Sequence, residues 1–350
     1  MKAMVLAAGV GSRLDPLTAD IPKPLVPVAN VPVMQHLLQL LHRHDFRQVV
    51  ANLHYLPEKL VDYFGDGSRF DIELEFRREE KLSGDAGGVR FCRDFLAGGT
   101  FIVLMGDLLT DIDLTYVLAQ HRAKGALASI ALKQVEDVSH FGVAMLDEKG
   151  LIKGFQEKPK KEEALSNLAS TGIYILEPEV FNYIPAQGDY GFGRQLFPTL
   201  VAEGLPVLGV EVGSYWSDVG TIEQYWHSNF DVLEGKMKVD MPGYEHIQTN
   251  GHSLYLAEGT VLDPTVTIGG NLVVGKGARI GAGVRLSGNN VIGAGAIVEA
   301  GCQLEGVVLW SDVVVAQKSK LERSVVLSSG VVNVFDHPKS VKRELALAAR

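Results

Sequence analysis

Cysteine is almost absent: Cys92 and Cys302 are the only two in 350 residues. They fall in stretches of different texture, so no disulfide framework is expected, and a reducing, cytoplasmic setting is implied. Long apolar runs are missing as well. The opening stretch, residues 3–8, is too short for a membrane span or the core of a secretory leader, which argues against a membrane partner. Basic clusters are also lacking. Lys and Arg number 33 against 42 Asp and Glu, for a net charge of −9, so nucleic acid is not an expected partner. His36, His42 and His44 lie close together but share no ligand face, and they read as solvated or satisfied side chains rather than a metal site. What remains is an ordinary globular balance, 46% hydrophobic and 21% charged, in a chain long enough for two substantial cores.

The chain opens on a short apolar strand followed by Gly9-Val10-Gly11-Ser12-Arg13-Leu14. A strand, a glycine loop and a turn into helix direct backbone N–H groups at an anion. Glycine lets the backbone approach a phosphate without Cβ interference. Arg13 and Lys23 add a planar fork and a mobile point charge. Leu14 occupies the place of the third glycine in a dinucleotide fingerprint. Ser12-Arg13 stands where a P-loop needs Lys followed by Ser or Thr.

Helical and strand patterns then alternate: helix at 33–45, strand at 48–53, helix at 57–64, strand at 72–76. This predicts a mostly parallel sheet covered on both faces. The apolar strand 100–105 runs into Gly106-Asp107, and an acid at the carboxyl end of such a strand faces the binding crevice. A carboxylate there would repel a polyphosphate unless a cation such as Mg²⁺ lay between them.

The full opening run, with Pro16-Leu17-Thr18 and Pro22-Lys23-Pro24, resembles the signature of the nucleoside-diphosphate-sugar pyrophosphorylases, the sugar-1-phosphate nucleotidylyltransferases. Three later stretches also resemble that family: Phe141-Gly142-Val143, Glu157-Lys158-Pro159, and Trp216-Ser217-Asp218-Val219-Gly220-Thr221. The resemblance implies a Rossmann-like, mostly parallel mixed α/β sheet with helices on both faces. It implies transfer of a nucleotidyl group from a nucleoside triphosphate to a sugar-1-phosphate, with pyrophosphate released. Leu6, Ala8, Gly9, Gly11, Ser12, Arg13, Gly84 and Asp85 would then hold the nucleotide. Gly142, Glu157, Lys158 and Thr171 would hold the sugar phosphate. Asp107 and Asp218 would bind Mg²⁺, and Arg13 and Lys23 would be the catalytic cations.

In layout the chain looks most like mannose-1-phosphate guanylyltransferases, so GTP and mannose-1-phosphate giving GDP-mannose is the leading expectation. Thymidylyl, uridylyl or adenylyl transfer to glucose-1-phosphate is the alternative. Asp85 replaces the family's commoner threonine. Its carboxylate matches the paired N–H donors on the guanine edge, although capping the following helix is an equal role for it. A non-catalytic, sugar-nucleotide-sensing subunit is the other class, and the retained Arg13, Lys23, Asp107, Lys158 and Asp218 argue against it.

Beyond a linker at 236–251 the texture changes. Apolar residues recur every six positions from Leu262 through Ile268, Val274, Ile280, Leu286, Ile292, Val298 and Leu304, with Trp310 and Ala316 continuing the register. This hexapeptide pattern over 252–330 predicts a parallel β-helix, left-handed by the same family resemblance. A β-helix acyltransferase needs a histidine on its coils, and residues 253–330 contain none. The module is expected to stabilise the chain or join copies into a homo-oligomer. The tail, 331–350, reads as helical from Pro338 on. Residues 1–235 would form the catalytic domain. Removal of the chain from about Gly251 is therefore expected to leave the chemistry intact while impairing assembly or solubility. Replacing Arg13 or Lys23 by alanine should lower kcat by roughly two decades, the loss that follows removal of a cation placed at a developing anion. An unchanged kcat in folded Arg13→Ala would make the loop purely structural.

Overall fold

The computed structural model describes residues 1–335. The helix expected from Pro338 on lies outside the described residues. The first compact unit comprises Met1–Ser12, Thr18–Leu25 and Val33–Asp218. Its strands are β1 (Lys2–Leu6), β2 (Gln48–Leu53), β3 (Glu73–Arg78), β4 (Phe101–Met105), β5 (Ala128–Gln134), β6 (Gly142–Leu146), β7 (Ile152–Glu157), β8 (Leu168–Leu176) and β9 (Val207–Glu211). They form one sheet in the order β7-β6-β8-β4-β1-β2-β3, with β5 joined to β8 and β9. Strands β4, β1, β2 and β3 run parallel, whereas β8 is antiparallel to β4 and β5.

Alternation along each strand builds two cores. Ala3, Val5, Ile102 and Leu104 face one side with helix α1 (Val33–Arg43). Met4, Phe101 and Val103 face the other with helix α2 (Asp85–Phe91). Side chains pointing alternately to two covered faces explain why these strands read as continuous apolar runs. The chain leaves β1 for a strand on one side of it and later returns to β4 on the other. The crevice beyond the carboxyl ends of β1 and β4 is therefore the topological switch point, where α/β sheets bind ligands. Helix α3 (Leu114–Lys124) starts at Asp113, whose carboxylate accepts from the Tyr116 N–H at 2.9 Å. Asp107 is thus not the cap of that helix.

Among the described residues, the second unit comprises Arg13–Leu17, Val26–Pro32 and residues 219–335. Helix α4 (Ile222–Leu233), capped by the Thr221 hydroxyl, belongs to it. Residues 244–257, expected as linker and repeat, form an antiparallel hairpin. Beyond it, short strands stack in parallel ladders whose partners lie 18 residues apart, such as Leu272 with Asn290 and Leu286 with Leu304. These ladders are compatible with a β-helix. Val274, Ile280, Leu286, Ile292, Val298 and Leu304 are buried as the six-residue period requires. After Gly306 the spacing drops to 17, so Ile292 pairs with Leu309 and Val298 with Val315. Leu309 and Val315 take the buried places expected for Trp310 and Ala316. Freed from that register, the Trp310 indole donates to the Tyr225 hydroxyl of α4 at 2.9 Å.

Asn229, fully buried, completes this junction. Its Oδ1 accepts from the Ala29 N–H and its Nδ2 donates to the Tyr225 carbonyl, both at 2.8 Å. Asn229→Leu leaves the buried Ala29 N–H without its acceptor, at about 1–3 kcal/mol, while the Tyr225 carbonyl keeps its helical bond. Thermal denaturation should show a clear fall in Tm, and an unchanged Tm would contradict this role.

Candidate active site

The glycine loop turns back on Lys23. Gly11 sits at φ 72°, and a Cβ there would lie 2.9 Å from the Lys23 Cβ. Only glycine fits, on conformational and steric grounds together. The Thr18 hydroxyl ties the loop by donating to the Gly11 carbonyl at 3.0 Å. Ala8 is buried, while Gly9 is exposed with nothing near its Cβ position.

Lys23 is buried between two buried prolines in a short 3₁₀ turn. Its ammonium donates to Asp107 Oδ2 at 2.7 Å and to the Asp218 carbonyl at 2.9 Å. Residues 84 and 195 positions away in sequence thus meet at one cation. Asp107 arrives at the end of β4. Asp218 arrives because Trp216–Ser217 pairs antiparallel with Leu109–Thr110. The Tyr215 N–H donates to Asp111 Oδ1 at 2.9 Å, and the Thr110 hydroxyl donates to the Tyr215 carbonyl at 2.6 Å. Lys133 donates to the carbonyls of Gly213 and Ser214.

A second group gathers around Glu157. It lies directly across the β6–β7 hairpin from Gly142. Its carboxylate rests on the backbone of Gly193, where a Cβ would stand 2.0 Å from Oε2. Burial raises the Glu157 carboxyl above the ordinary range; Lys158 opposes the shift, Asp85 adds to it and Arg194 opposes it. Lys158, at φ 50°, extends to solvent with its ammonium 4.0 Å from Glu157. Arg194 is a cation that the motif reading missed. It follows Gly193 in a π-helical turn, and no spacing signal in the sequence marks such a turn.

Two expected contacts take other roles. The Thr171 hydroxyl is buried and donates to the Ala131 carbonyl at 2.8 Å, so it points into the sheet rather than at a sugar. Its own carbonyl accepts from the Trp216 indole at 2.8 Å, and Trp216 packs edge-on against Phe141 at 5.0 Å. Asp85 is first in α2, behind Gly84, and its Oδ1 accepts from the Ala86 N–H at 2.8 Å and the Phe192 N–H at 2.6 Å. A bidentate contact with guanine needs both carboxylate oxygens free, and this one already serves two backbone donors. Burial raises the Asp85 carboxyl, while those two N–H groups and Arg194 pull it back.

The structure therefore brings Lys23, Asp107 and Asp218 together, and separately Gly142, Glu157, Lys158 and Arg194. Ser12 and Arg13 are exposed in the 3₁₀ turn that follows the loop. Arg13 belongs to the second unit.

Residues 2–235 match the family described as Nucleotidyl transferase. A UTP–glucose-1-phosphate uridylyltransferase of Synechocystis is 45% identical over 70% of this chain and 67% of its own length. A mannose-1-phosphate guanylyltransferase of Mycobacterium tuberculosis is 33% identical over 67% of this chain and 65% of its own. The chain thus spans about two thirds of these relatives. A Bacillus anthracis protein assigned as a glucose-1-phosphate thymidylyltransferase and solved with a sucrose superposes at TM-score 0.62. It is 27% identical and covers 69% of this chain and 97% of its own. With the loop, the lysine and the two acids in place, the chain belongs to the nucleotidyl transferase family, as an NDP-sugar pyrophosphorylase.

Proposed function

We propose that the chain transfers a uridylyl group from UTP to glucose-1-phosphate. The observation that carries the chemistry is Lys23, whose one ammonium spans Asp107 and the Asp218 backbone. The choice of substrates is supported by the 45% identity to a uridylyltransferase. Guanylyl transfer to mannose-1-phosphate is the second reading, supported by the mycobacterial relative. It loses the help of Asp85, whose Oδ1 is engaged by backbone.

A sugar-phosphate oxygen attacks the α-phosphorus, the bond from that phosphorus to the bridging oxygen breaks, and pyrophosphate leaves with that electron pair. The substrate is its own nucleophile, so catalysis rests on alignment and charge neutralisation. Lys23 has three donors, two of them used in this structure, and the third is available to a phosphate oxygen. Arg13 offers its planar fork to the leaving pyrophosphate. Lys158 and Arg194 flank Glu157 and hold the sugar phosphate, while Glu157 accepts from sugar hydroxyls.

Mg²⁺ favours one or two carboxylates together with substrate phosphates. Among the described residues no group of three or more His, Cys, Asp or Glu offers a complete protein cage. Asp107, already holding a cation on one oxygen, and Asp218, whose backbone carbonyl meets that same ammonium, would supply this limited donor set. Bound there, Mg²⁺ would supply Lewis acidity and a template for the phosphates. We also take the C-terminal ladders to be a left-handed β-helix that joins copies of the chain.

Pyrophosphate release across UTP, GTP, dTTP and ATP with glucose- and mannose-1-phosphate tests the assignment. UTP with glucose-1-phosphate should give the highest kcat/KM. A GTP and mannose-1-phosphate preference would favour the second reading, and no release with any pair would overturn both. Asp107→Ala and Asp218→Ala should lose Mg²⁺-dependent turnover while staying folded; wild-type turnover in both refutes the metal assignment.

Glu157 yields a pH prediction. Its raised carboxyl takes up a proton at a higher pH than an ordinary glutamate, and the protonated form is a poorer acceptor. KM for the sugar phosphate should therefore rise as pH falls, starting above the usual glutamate range. Glu157→Gln should flatten that rise, and the difference between the two profiles cancels the substrate's own titration. Identical profiles would remove Glu157 from sugar binding.

A further inference from the structure

The chain leaves β1 through a peptide plane held on both sides. The Leu6 carbonyl accepts from the Gly106 N–H at 2.9 Å. The Ala7 N–H, the other half of the same peptide, donates to Asn52 Oδ1 at 3.0 Å. Gly106 directly precedes Asp107, and a Cβ at Gly106 would stand 2.7 Å from the Leu6 oxygen, so only glycine permits this contact. On the other side, Asn52 Nδ2 donates to Glu79 Oε1 at 2.6 Å, and the Ser83 hydroxyl donates to Glu79 Oε2. Asn52 and Glu79 are 3% and 4% exposed, so neither partner is readily replaced by bulk water.

The amide orientation is fixed by its partners. Ala7 N–H can only donate and the Glu79 carboxylate accepts, so a flipped Asn52 would lose both bonds. Helix α2 lies directly on this relay. A Cβ on Gly88 would fall 2.6 Å from Asn52 Nδ2, and one on Gly87 would fall 2.9 Å from Ser83 Oγ. That contact accounts for two consecutive glycines inside a helix, where glycine is otherwise unfavourable.

We propose that Asn52 is a positioning residue for nucleotidyl transfer. Through the Ala7 N–H it sets where the glycine loop starts relative to Asp107. Through Glu79 and Ser83 it joins that loop to the Gly84 turn, so two loops at the carboxyl edge of the sheet move as one. Neither Asn52 nor Glu79 touches the reacting atoms. The inference rests on the nucleotidyl-transfer reading of the site, and the relay itself can be measured apart from turnover.

The test combines backbone hydrogen exchange in segments 5–12 and 83–88 with steady-state kinetics. Glu79→Ala should speed exchange at Ala7 by about tenfold or more, although Glu79 touches no atom of Ala7. Asn52→Ala should do the same. Glu79→Gln should restore protection, since it keeps an acceptor for Asn52 and its amide can donate to the Ser83 oxygen. In kinetics, Asn52→Ala should lower kcat/KM for the nucleoside triphosphate by about tenfold or more, as misplacement of a binding loop does, with KM for the sugar phosphate unchanged. Unchanged exchange at Ala7 in Glu79→Ala overturns the relay. A lower Tm with kcat and both KM values unchanged would make the bonds structural only, and so overturn the proposal. Asn52→Ser carries the same comparison if Asn52→Ala does not fold. The expected exchange changes in the variants, with no nucleotide sugar formed by the wild-type protein, would overturn the functional reading alone.

Discussion

A single buried ammonium draws the site together. Lys23 donates to Asp107 at 2.7 Å and to the Asp218 carbonyl at 2.9 Å, joining a turn near the start of the chain to the ends of two distant segments. Removing either charged partner would leave the other partly buried and unpaired, a large penalty. The surrounding structure is arranged to permit this contact. Gly11 lets the loop close on the lysine stem, Pro22 and Pro24 stiffen the turn that carries it, and the pairing of Trp216–Ser217 with Leu109–Thr110 delivers Asp218.

The sheet explains why the site is where it is. Strand β1 lies between β4 and β2, and the chain crosses from one side of it to the other, opening a crevice at the carboxyl ends of β1 and β4. The glycine loop and Gly106-Asp107 both emerge there, held to each other through the Leu6 carbonyl. Binding groups carried by such a scaffold need little reorganisation when a polyphosphate arrives, which is how electrostatic catalysis is made effective.

Much of this was legible in the sequence because local rules apply where the signal was read. The strand at 48–53 and the helix at 57–64 have their observed bounds, set by apolar periodicity and, for the helix, by proline at its first position. Asp107 and Lys23 stood in recognisable runs. Other features depend on contacts distant in sequence. Thr171 looked like a sugar ligand, yet its hydroxyl satisfies the Ala131 carbonyl. Asp85 looked like a base selector, yet it anchors the Phe192 turn. The shift from 18 to 17 residues after Gly306 is invisible to a six-residue period until strand pairing is known. Arg194 sits in a π-helical turn whose position depends on Gly193 lying against Glu157. Helix α4 packs with the coils through Trp226 and Trp310, a grouping that composition alone does not reveal.

The central claim is that Lys23 and the two acids serve a direct attack by the sugar phosphate, with no protein nucleophile. Stereochemistry at the α-phosphorus tests it most directly, using a nucleoside triphosphate made chiral there with sulfur. A single in-line displacement predicts inverted configuration in the nucleotide sugar. Retention would require a covalent nucleotidyl-enzyme between two displacements and would contradict the account.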